Sequence, residues 1–93
     1  MASDTRQVTL AANTVTTTNF TGRVREVGIL HTGNVPEPVY VRVDGTAPTV
    51  AGDGSFVVLA GQQRFIPREY FQVAPTVVKI ISAGAAKLEV EFP

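Results

Sequence analysis

The sequence predicts an all-β protein, a single small β-sandwich of about eight short antiparallel strands with jelly-roll or immunoglobulin-like topology. Runs of alternating apolar and polar residues recur about every ten residues, and turns rich in Gly, Pro or Asn separate them. No segment long enough for a helix shows an apolar stripe of helical period. The 93 residues suffice for one domain.

The clearest strand pair lies in residues 39–59. Its first strand alternates three valines with a tyrosine and an arginine, which is the pattern of a half-buried strand. Asp44-Gly45 and Gly52-Asp53-Gly54 are predicted as two turns, because glycine and aspartate suit the backbone conformations of turns. Ser55–Leu59 is predicted as the second strand.

The remaining chain divides into a polar segment, residues 1–5, predicted as an extended N-terminal arm, and a sandwich domain, residues 6–93. Besides the central pair, strands are predicted over residues 6–11, 14–20, 23–31, 62–67, 77–81 and 87–92. The second of these strands is rich in threonine and unusually polar, so we expect it at a sheet edge or with both faces partly exposed to water. The residues of these strands expected to face the core are Val27, Ile29, Val78, Ile80, Leu88, Val90 and Phe92.

Composition excludes several classes of partner. Eight basic and eight acidic residues balance, whereas a nucleic-acid-binding protein normally carries a basic excess or a basic cluster. No apolar run approaches the length of a membrane span, and residues 1–7 lack the apolar run of a signal peptide. There is no cysteine, so neither a disulfide nor a thiolate metal site is expected. We therefore expect neither a nucleic-acid nor a membrane partner.

Catalytic residues are not expected. His31 is the only histidine and lies at a strand end, where a surface or turn histidine is the better interpretation. Ser3, Ser55 and Ser82 are the only serines, and none lies in the glycine-flanked turn of a nucleophilic serine. The sequence therefore predicts no enzyme, no cofactor and no small-molecule substrate.

The two aspartates of the central loop are the one candidate cation pair. Calcium prefers six to eight oxygen ligands, and Asp44 and Asp53 are nine positions apart, each beside a glycine. Turn formation explains them better. Whether they bind a cation stays open at this level.

Two segments suit binding better than folding. Arg68, Tyr70 and Phe71 place an arginine and two aromatic residues on a non-periodic connection, and these residue types are enriched in interface hot spots. The competing interpretation is that Tyr70 or Phe71 fills one end of the sandwich core. The arm and the threonine-rich strand are candidates for pairing with, or lying across, a neighbouring protein chain. The alternative is a frayed terminus and a solvated sheet edge.

Four stretches together resemble a known group of proteins. They are Val8–Val15, Phe20–Ile29, the V-D-G-T-x-P-T-V-x-G-D-x-S-F-V-V core of Val43–Val58, and Pro75–Gly84 followed by Lys87–Phe92. The whole resembles small structural proteins of tailed bacteriophages, especially those of actinobacterial hosts, which serve as head decoration proteins. The shared pattern consists of turns and strands and marks no functional residue.

The resemblance implies a β-sandwich on the outer face of the phage head that stabilises it by bridging major capsid protein subunits. It implies a homo-oligomer, with a trimer favoured, assembled in the bacterial cytoplasm and located on the virion surface. Two alternatives are a carbohydrate- or receptor-binding module of a tail tip or fibre, and a structural protein of the neck or tail completion.

Overall fold

The computed structural model of the chain describes residues 4–22, 24–68 and 75–92, and within them all regular structure is β-strand. Eight antiparallel strands form two four-stranded sheets, which confirms the predicted all-β sandwich. The strands are β1 (Asp4–Thr9), β2 (Thr16–Phe20), β3 (Glu26–His31), β4 (Val39–Arg42), β5 (Phe56–Val58), β6 (Gln63–Pro67), β7 (Thr76–Ser82) and β8 (Lys87–Phe92).

The strand order is that of a jelly roll. Strand β1 pairs with β8, β2 with β7, β3 with β6 and β4 with β5, so the chain is one long hairpin folded at the β4–β5 connection. Further pairing of β3 with β8 and of β4 with β7 rolls this hairpin into two sheets. Sheet A has the order β1-β8-β3-β6, and sheet B the order β2-β7-β4-β5. The immunoglobulin-like alternative is wrong, because β1 and β2 lie in different sheets.

The first strand begins earlier than the sequence predicted. Asp4 pairs with Phe92, and Thr5 pairs with Glu91, so these two residues belong to β1 and extend the sheet. Backbone pairing with β8 overrides the polar character that suggested an arm over residues 1–5. Residues 1–3 lie outside the described part of the chain.

The edge positions follow the side-chain chemistry. Strand β2 lies at the edge of sheet B, as its threonine content predicted. Strand β6 lies at the edge of sheet A and ends at Pro67, which has no backbone N–H to donate to a further strand.

The core lies between the sheets and consists almost entirely of aliphatic side chains. All seven residues that the strand patterns assigned to the core are fully buried. The other buried members of the core cluster are Leu10, Val24, Val39, Val41, Val43, Val58, Ile66 and Ala86. Period-2 alternation therefore placed the inward faces of β3, β7 and β8 correctly.

Because the strands are antiparallel, the connections divide between two ends of the sandwich. The end that we call the His31 end contains the connections at residues 10–15, 32–38, 59–62 and 83–86. The opposite end, called the Arg42 end, contains residues 21–25 and 43–55, together with the end of β6 and the beginning of β7.

Candidate binding surfaces

The single histidine holds a loop at the His31 end. His31 is fully buried, so the prediction of a surface histidine is wrong; its position at a turn is correct. Its Nδ1 accepts a hydrogen bond from the Gly33 N–H at 3.0 Å, and its Nε2 lies 2.8 Å from the Glu37 carbonyl oxygen. The ring is therefore a neutral imidazole that donates from Nε2. Both ring nitrogens bind backbone, and neither is left to act as a base.

Two further polar side chains join loops at the His31 end. Ser82 is buried and donates to the Pro38 carbonyl at 2.8 Å. Asn34 donates to the Ala85 carbonyl at 3.1 Å and accepts from the Lys87 N–H at 2.8 Å. The loop at residues 32–38 is thereby bound to the turn between β7 and β8.

Arg42 organises the long β4–β5 connection at the opposite end. Its Nε and Nη2 donate to the two carboxylate oxygens of Asp44 at 3.2 and 2.6 Å, which is a bidentate pair. Its Nη1 donates to the Asp53 carbonyl at 3.2 Å, so one guanidinium joins both ends of the loop. Gly54 has a φ of +81°, and a Cβ atom there would lie 2.3 Å from Nη1 of Arg42. The positive φ favours glycine at this position, and any larger residue would also have to displace the guanidinium.

The Asp44 carboxylate is bound by the chain itself. The Arg42 hydrogen bond lowers the Asp44 pKa from its ordinary 3.8 to about 2, and the Thr46 N–H donating to the same carboxylate contributes. The same pair raises the pKa of Arg42. Asp53 contributes its carbonyl oxygen, not its carboxylate, to this arrangement. Within the described residues no group of three or more His, Cys, Asp or Glu side chains is placed to hold a metal ion.

The tip of this loop exposes small uncharged side chains. A turn closes where the Gly52 N–H donates to the Thr49 carbonyl at 3.0 Å, and Ala51 adopts a φ of +57°. Pro48 is buried beneath the tip, and Val50 is 39% exposed. A left-handed alanine is strained, and such strain persists only where surrounding contacts hold the backbone. The tip is therefore a shaped, apolar surface on a fixed base.

Arg68, predicted as a binding residue, makes hydrogen bonds inside the domain. Its Nη1 donates to the Val24 carbonyl and to Thr76 Oγ1, both at 3.0 Å. The buried Thr76 hydroxyl in turn donates to the Gly22 carbonyl at 2.9 Å. These bonds join the β2–β3 connection to the beginning of β7, which gives Arg68 a structural role. Tyr70 and Phe71 lie outside the described residues, so their part in binding stays a prediction.

An arginine crosses between the two sheets at each open edge of the sandwich. At one edge, Arg6 of β1 donates to the Asn19 carbonyl of β2 and lies 5.3 Å from the Phe92 ring centroid. At the other edge, Arg64 of β6 donates to the Val57 carbonyl of β5 at 3.0 Å and lies 5.2 Å from the Phe56 ring centroid. These distances permit cation–π attraction as well as hydrogen bonding.

The outer face of sheet A is mostly polar and acidic. Strand β8 directs Lys87, Glu89 and Glu91 outward, and Glu26 of β3 lies on the same face. The apolar exceptions are Leu30 and Phe65; Phe65 pairs with Gly28 and is 46% exposed. A Cβ atom on Gly28 would lie 2.8 Å from the Phe65 ring, so the ring lies across the glycine. No ion pair within the described residues involves Glu26, Glu89 or Glu91.

The outer face of sheet B is more apolar. Tyr40 pairs with Val57 on one side and with Ile81 on the other, and the register places Val15 beside Ile81. These residues, three on β7, β4 and β5 and Val15 just before β2, form a row that we call the sheet B row. Lys79 and Arg42 lie opposite each other in the strand register, in the adjacent row, and are the two basic residues of this face. Solvent-facing positions of an antiparallel sheet are usually polar, so the sheet B row departs from the common pattern.

The sequence analysis missed the residues that join the loops and edges. An arginine two positions before an Asp-Gly turn is a local signal from which the Arg42–Asp44 pair could have been predicted. For Thr76, Ser82, Arg6 and Arg64 no local signal exists, because their partners are more than five residues away and are defined by strand pairing.

No protein-family model, no curated protein and no solved structure matches this chain. Within the described residues, no helix is long and apolar enough to cross a membrane.

Proposed function

We propose that the protein decorates the head of a tailed bacteriophage, binding the outer face and stabilising it by bridging major capsid protein subunits. The observation that supports this best is the position of the motif on which the resemblance depends. Val43–Val58 forms the connection at which the jelly roll is folded, and Arg42 holds it in one shape at an end of the sandwich. Jelly rolls are recurrent building blocks of viral capsids.

In this proposal, the Arg42 end contacts the capsid. The loop tip displays Thr49, Val50 and Ala51, which are small and uncharged and fit against a closely packed protein surface. The internal hydrogen bonds hold the loop before binding, which reduces the entropy lost on association. Tyr70 and Phe71 belong to the connection between β6 and β7 that leaves the same end, and we propose them as aromatic anchors of the contact.

The proposal includes no catalytic step, cofactor or small-molecule substrate. The partner is the major capsid protein, and the bound form is a homo-oligomer with a trimer favoured. A domain of 93 residues has a small core, so burial against other subunits adds substantially to its stability. The proposed location is the virion surface after assembly in the bacterial cytoplasm.

Copy number per virion is the direct test. Quantitative mass spectrometry of purified particles should find hundreds of copies, in a stoichiometric ratio to the major capsid protein. Absence from purified heads, or at most a few tens of copies, contradicts the proposal; the latter result indicates the neck or tail alternative.

The contact surface has its own test. Val50→Asp should abolish binding of the purified protein to undecorated heads, because it places a charge in the apolar contact. Leu59→Asp is the matched control, because Leu59 is an exposed apolar residue at the opposite, His31 end; it should leave head binding unchanged. Equal binding by the two variants would contradict the assignment of the Arg42 end.

A carbohydrate- or receptor-binding module of a tail tip is the second candidate. Jelly rolls also form lectins, and Tyr40 is a half-buried aromatic residue on the outer face of sheet B. The chain lacks tryptophan, the best aromatic platform for a sugar ring. Glycan-array binding that is lost in Tyr40→Ala or Tyr70→Ala would favour this function over head decoration.

A further inference from the structure

We infer that copies of this chain bind each other front to back, with the outer face of sheet A of one copy against the outer face of sheet B of the next. The inference concerns self-association and goes beyond the proposed capsid contact, which uses the Arg42 end. It depends on the apolar residues, the charges and the size of the two faces.

The apolar residues of the two faces match. On sheet B, Ile81, Tyr40 and Val57 form a row across β7, β4 and β5, and Val15, just before β2, continues it in register. Ile81 is 8% exposed and Val15 is 36% exposed, so the row is an apolar band that is partly open to solvent. On sheet A, Leu30 and the largely exposed Phe65 supply the apolar area opposite. Apolar patches rimmed by polar residues are typical of protein–protein contacts.

The charges select the partner. The chain has no net charge, yet the sheet A face carries Glu26, Glu89 and Glu91 against the single cation Lys87 and is net acidic. On the sheet B face Arg42 is neutralised by Asp44, so Lys79 is the cation that is left. Pairing two sheet A faces brings net acidic surfaces together, and pairing two sheet B faces brings Lys79 against Lys79. Only the pairing of A with B opposes unlike charges, and it also places apolar residues against apolar residues.

Glu89 and Lys79 occupy comparable places on their faces. Glu89 lies on β8 and Lys79 on β7, and each of these strands is internal in its four-stranded sheet. Both side chains are half-buried among their neighbours. This pair is therefore the best probe of the contact.

The size of the faces sets the expected strength. The outer face of sheet A, with four strands of five or six residues, measures about 20 by 20 Å, or about 400 Å² per copy, from the usual strand spacings. Sheet B, whose strands have three to seven residues, offers no more. This is below the roughly 800 Å² per partner of a stable interface, so a single contact should be weak. The contact joins different surfaces, so repeated contacts generate a closed ring or an open chain.

Sedimentation and native mass spectrometry over a concentration series provide the test. The wild-type protein should exceed its monomer mass of 9.9 kDa as concentration rises. Lys79→Glu and Glu89→Lys should each remain monomeric, because each places like charges against each other. The double variant should associate again, and so should an equimolar mixture of the two single variants, in which opposite charges meet at every alternating contact.

Arg25→Glu is the control, since Arg25 is exposed in the β2–β3 connection and belongs to neither face. It should associate like the wild type, and circular dichroism should show all variants folded. The inference is overturned if the wild type stays monomeric up to about 1 mM, a concentration at which a contact with a Kd of about 1 mM is already substantially populated. It is also overturned if either single variant associates normally, or if neither the double variant nor the mixture recovers. Head binding by Val50→Asp tests the proposed function in a separate measurement, so a failure of self-association does not contradict head decoration.

Discussion

The two ends of the sandwich are held by different chemistry. At the His31 end, the buried neutral side chains of His31 and Ser82 bind loop carbonyls at 2.8 Å. At the Arg42 end, the half-buried Arg42 pairs with the exposed Asp44 and with the Asp53 carbonyl. The loops of the His31 end are fixed by uncharged, buried groups, whereas the β4–β5 loop of the Arg42 end is fixed by a charged pair in contact with water.

This difference predicts unequal contributions to stability. A buried polar group that loses its partner costs the full desolvation energy, whereas an exposed ion pair is worth little because water and salt screen it. The buried bonds of His31 and Ser82 should therefore contribute more to the free energy of unfolding than the Arg42–Asp44 pair, which fixes the shape of one loop. A surface loop that is shaped without being essential to folding is well suited to binding.

The largest effect is expected at His31. His31→Ala should lower the free energy of unfolding by about 2–4 kcal/mol, because it removes a buried ring and leaves the Glu37 carbonyl and Gly33 N–H without their partner. Denaturant unfolding measures this loss. His31→Phe keeps the ring volume but loses both hydrogen bonds, so it should still be destabilised by about 1–3 kcal/mol. A wild-type midpoint for both variants would contradict the larger contribution expected of these buried bonds.

A smaller loss is expected at Thr76, the buried hydroxyl at the Arg42 end. Thr76→Val keeps the shape of the side chain but removes the bonds to Gly22, Val24 and Arg68. It should cost about 1–2 kcal/mol in the free energy of unfolding. Thr76→Ser retains the hydroxyl and should cost about half as much or less. Wild-type stability of Thr76→Val would show that these hydrogen bonds contribute nothing, and equal losses in the two variants would show that the methyl group contributes as much as they do.

The Arg42–Asp44 pair should contribute less, and only above acidic pH. The Asp44 pKa is lowered in the folded state to about 2 from 3.8, so its contribution is complete above about pH 4 and is lost as the pH falls towards 2. Because Asp44 is 38% exposed, we expect a contribution below about 1 kcal/mol.

Denaturant unfolding at pH 5 and pH 2.5, for the wild type and Asp44→Asn, isolates this term. The variant should be less stable than the wild type at pH 5, and the difference should shrink at pH 2.5. A constant difference at both pH values would show that the Asp44 charge is not responsible.

The smallest effect is expected at the loop tip. Ala51 has a φ of +57°, which glycine adopts without strain, so Ala51→Gly should raise the free energy of unfolding by about 0.5 kcal/mol. Alanine at Gly54, whose φ is +81°, is the opposite change and should destabilise, because its Cβ would displace Arg42. A destabilised Ala51→Gly would show that the left-handed alanine is not strained.

Much of the fold could be predicted because strand alternation is a local property. Val27, Ile29, Leu88 and the other alternating positions are buried where their period placed them. The same alternation directs His31 inward together with Val27 and Ile29. The prediction gave this signal less weight than the usual exposure of histidines in turns. Candidate binding residues were harder to assign. The partners of Arg68, the Val24 carbonyl and Thr76, are brought to it by the packing of the β2–β3 connection on β7.

By itself, the sequence determined the all-β class, the positions of the strands, the inward faces of the core strands and the turns around the β4–β5 loop. These depend on side-chain period and on residues such as glycine and proline, whose effects extend only a few positions. The tertiary structure alone decided the jelly-roll order, the start of β1 at Asp4, the internal partners of the arginines and the contrast between the outer faces. Each depends on which distant strands pair, and the register of that pairing is fixed only when both sheets close over one core.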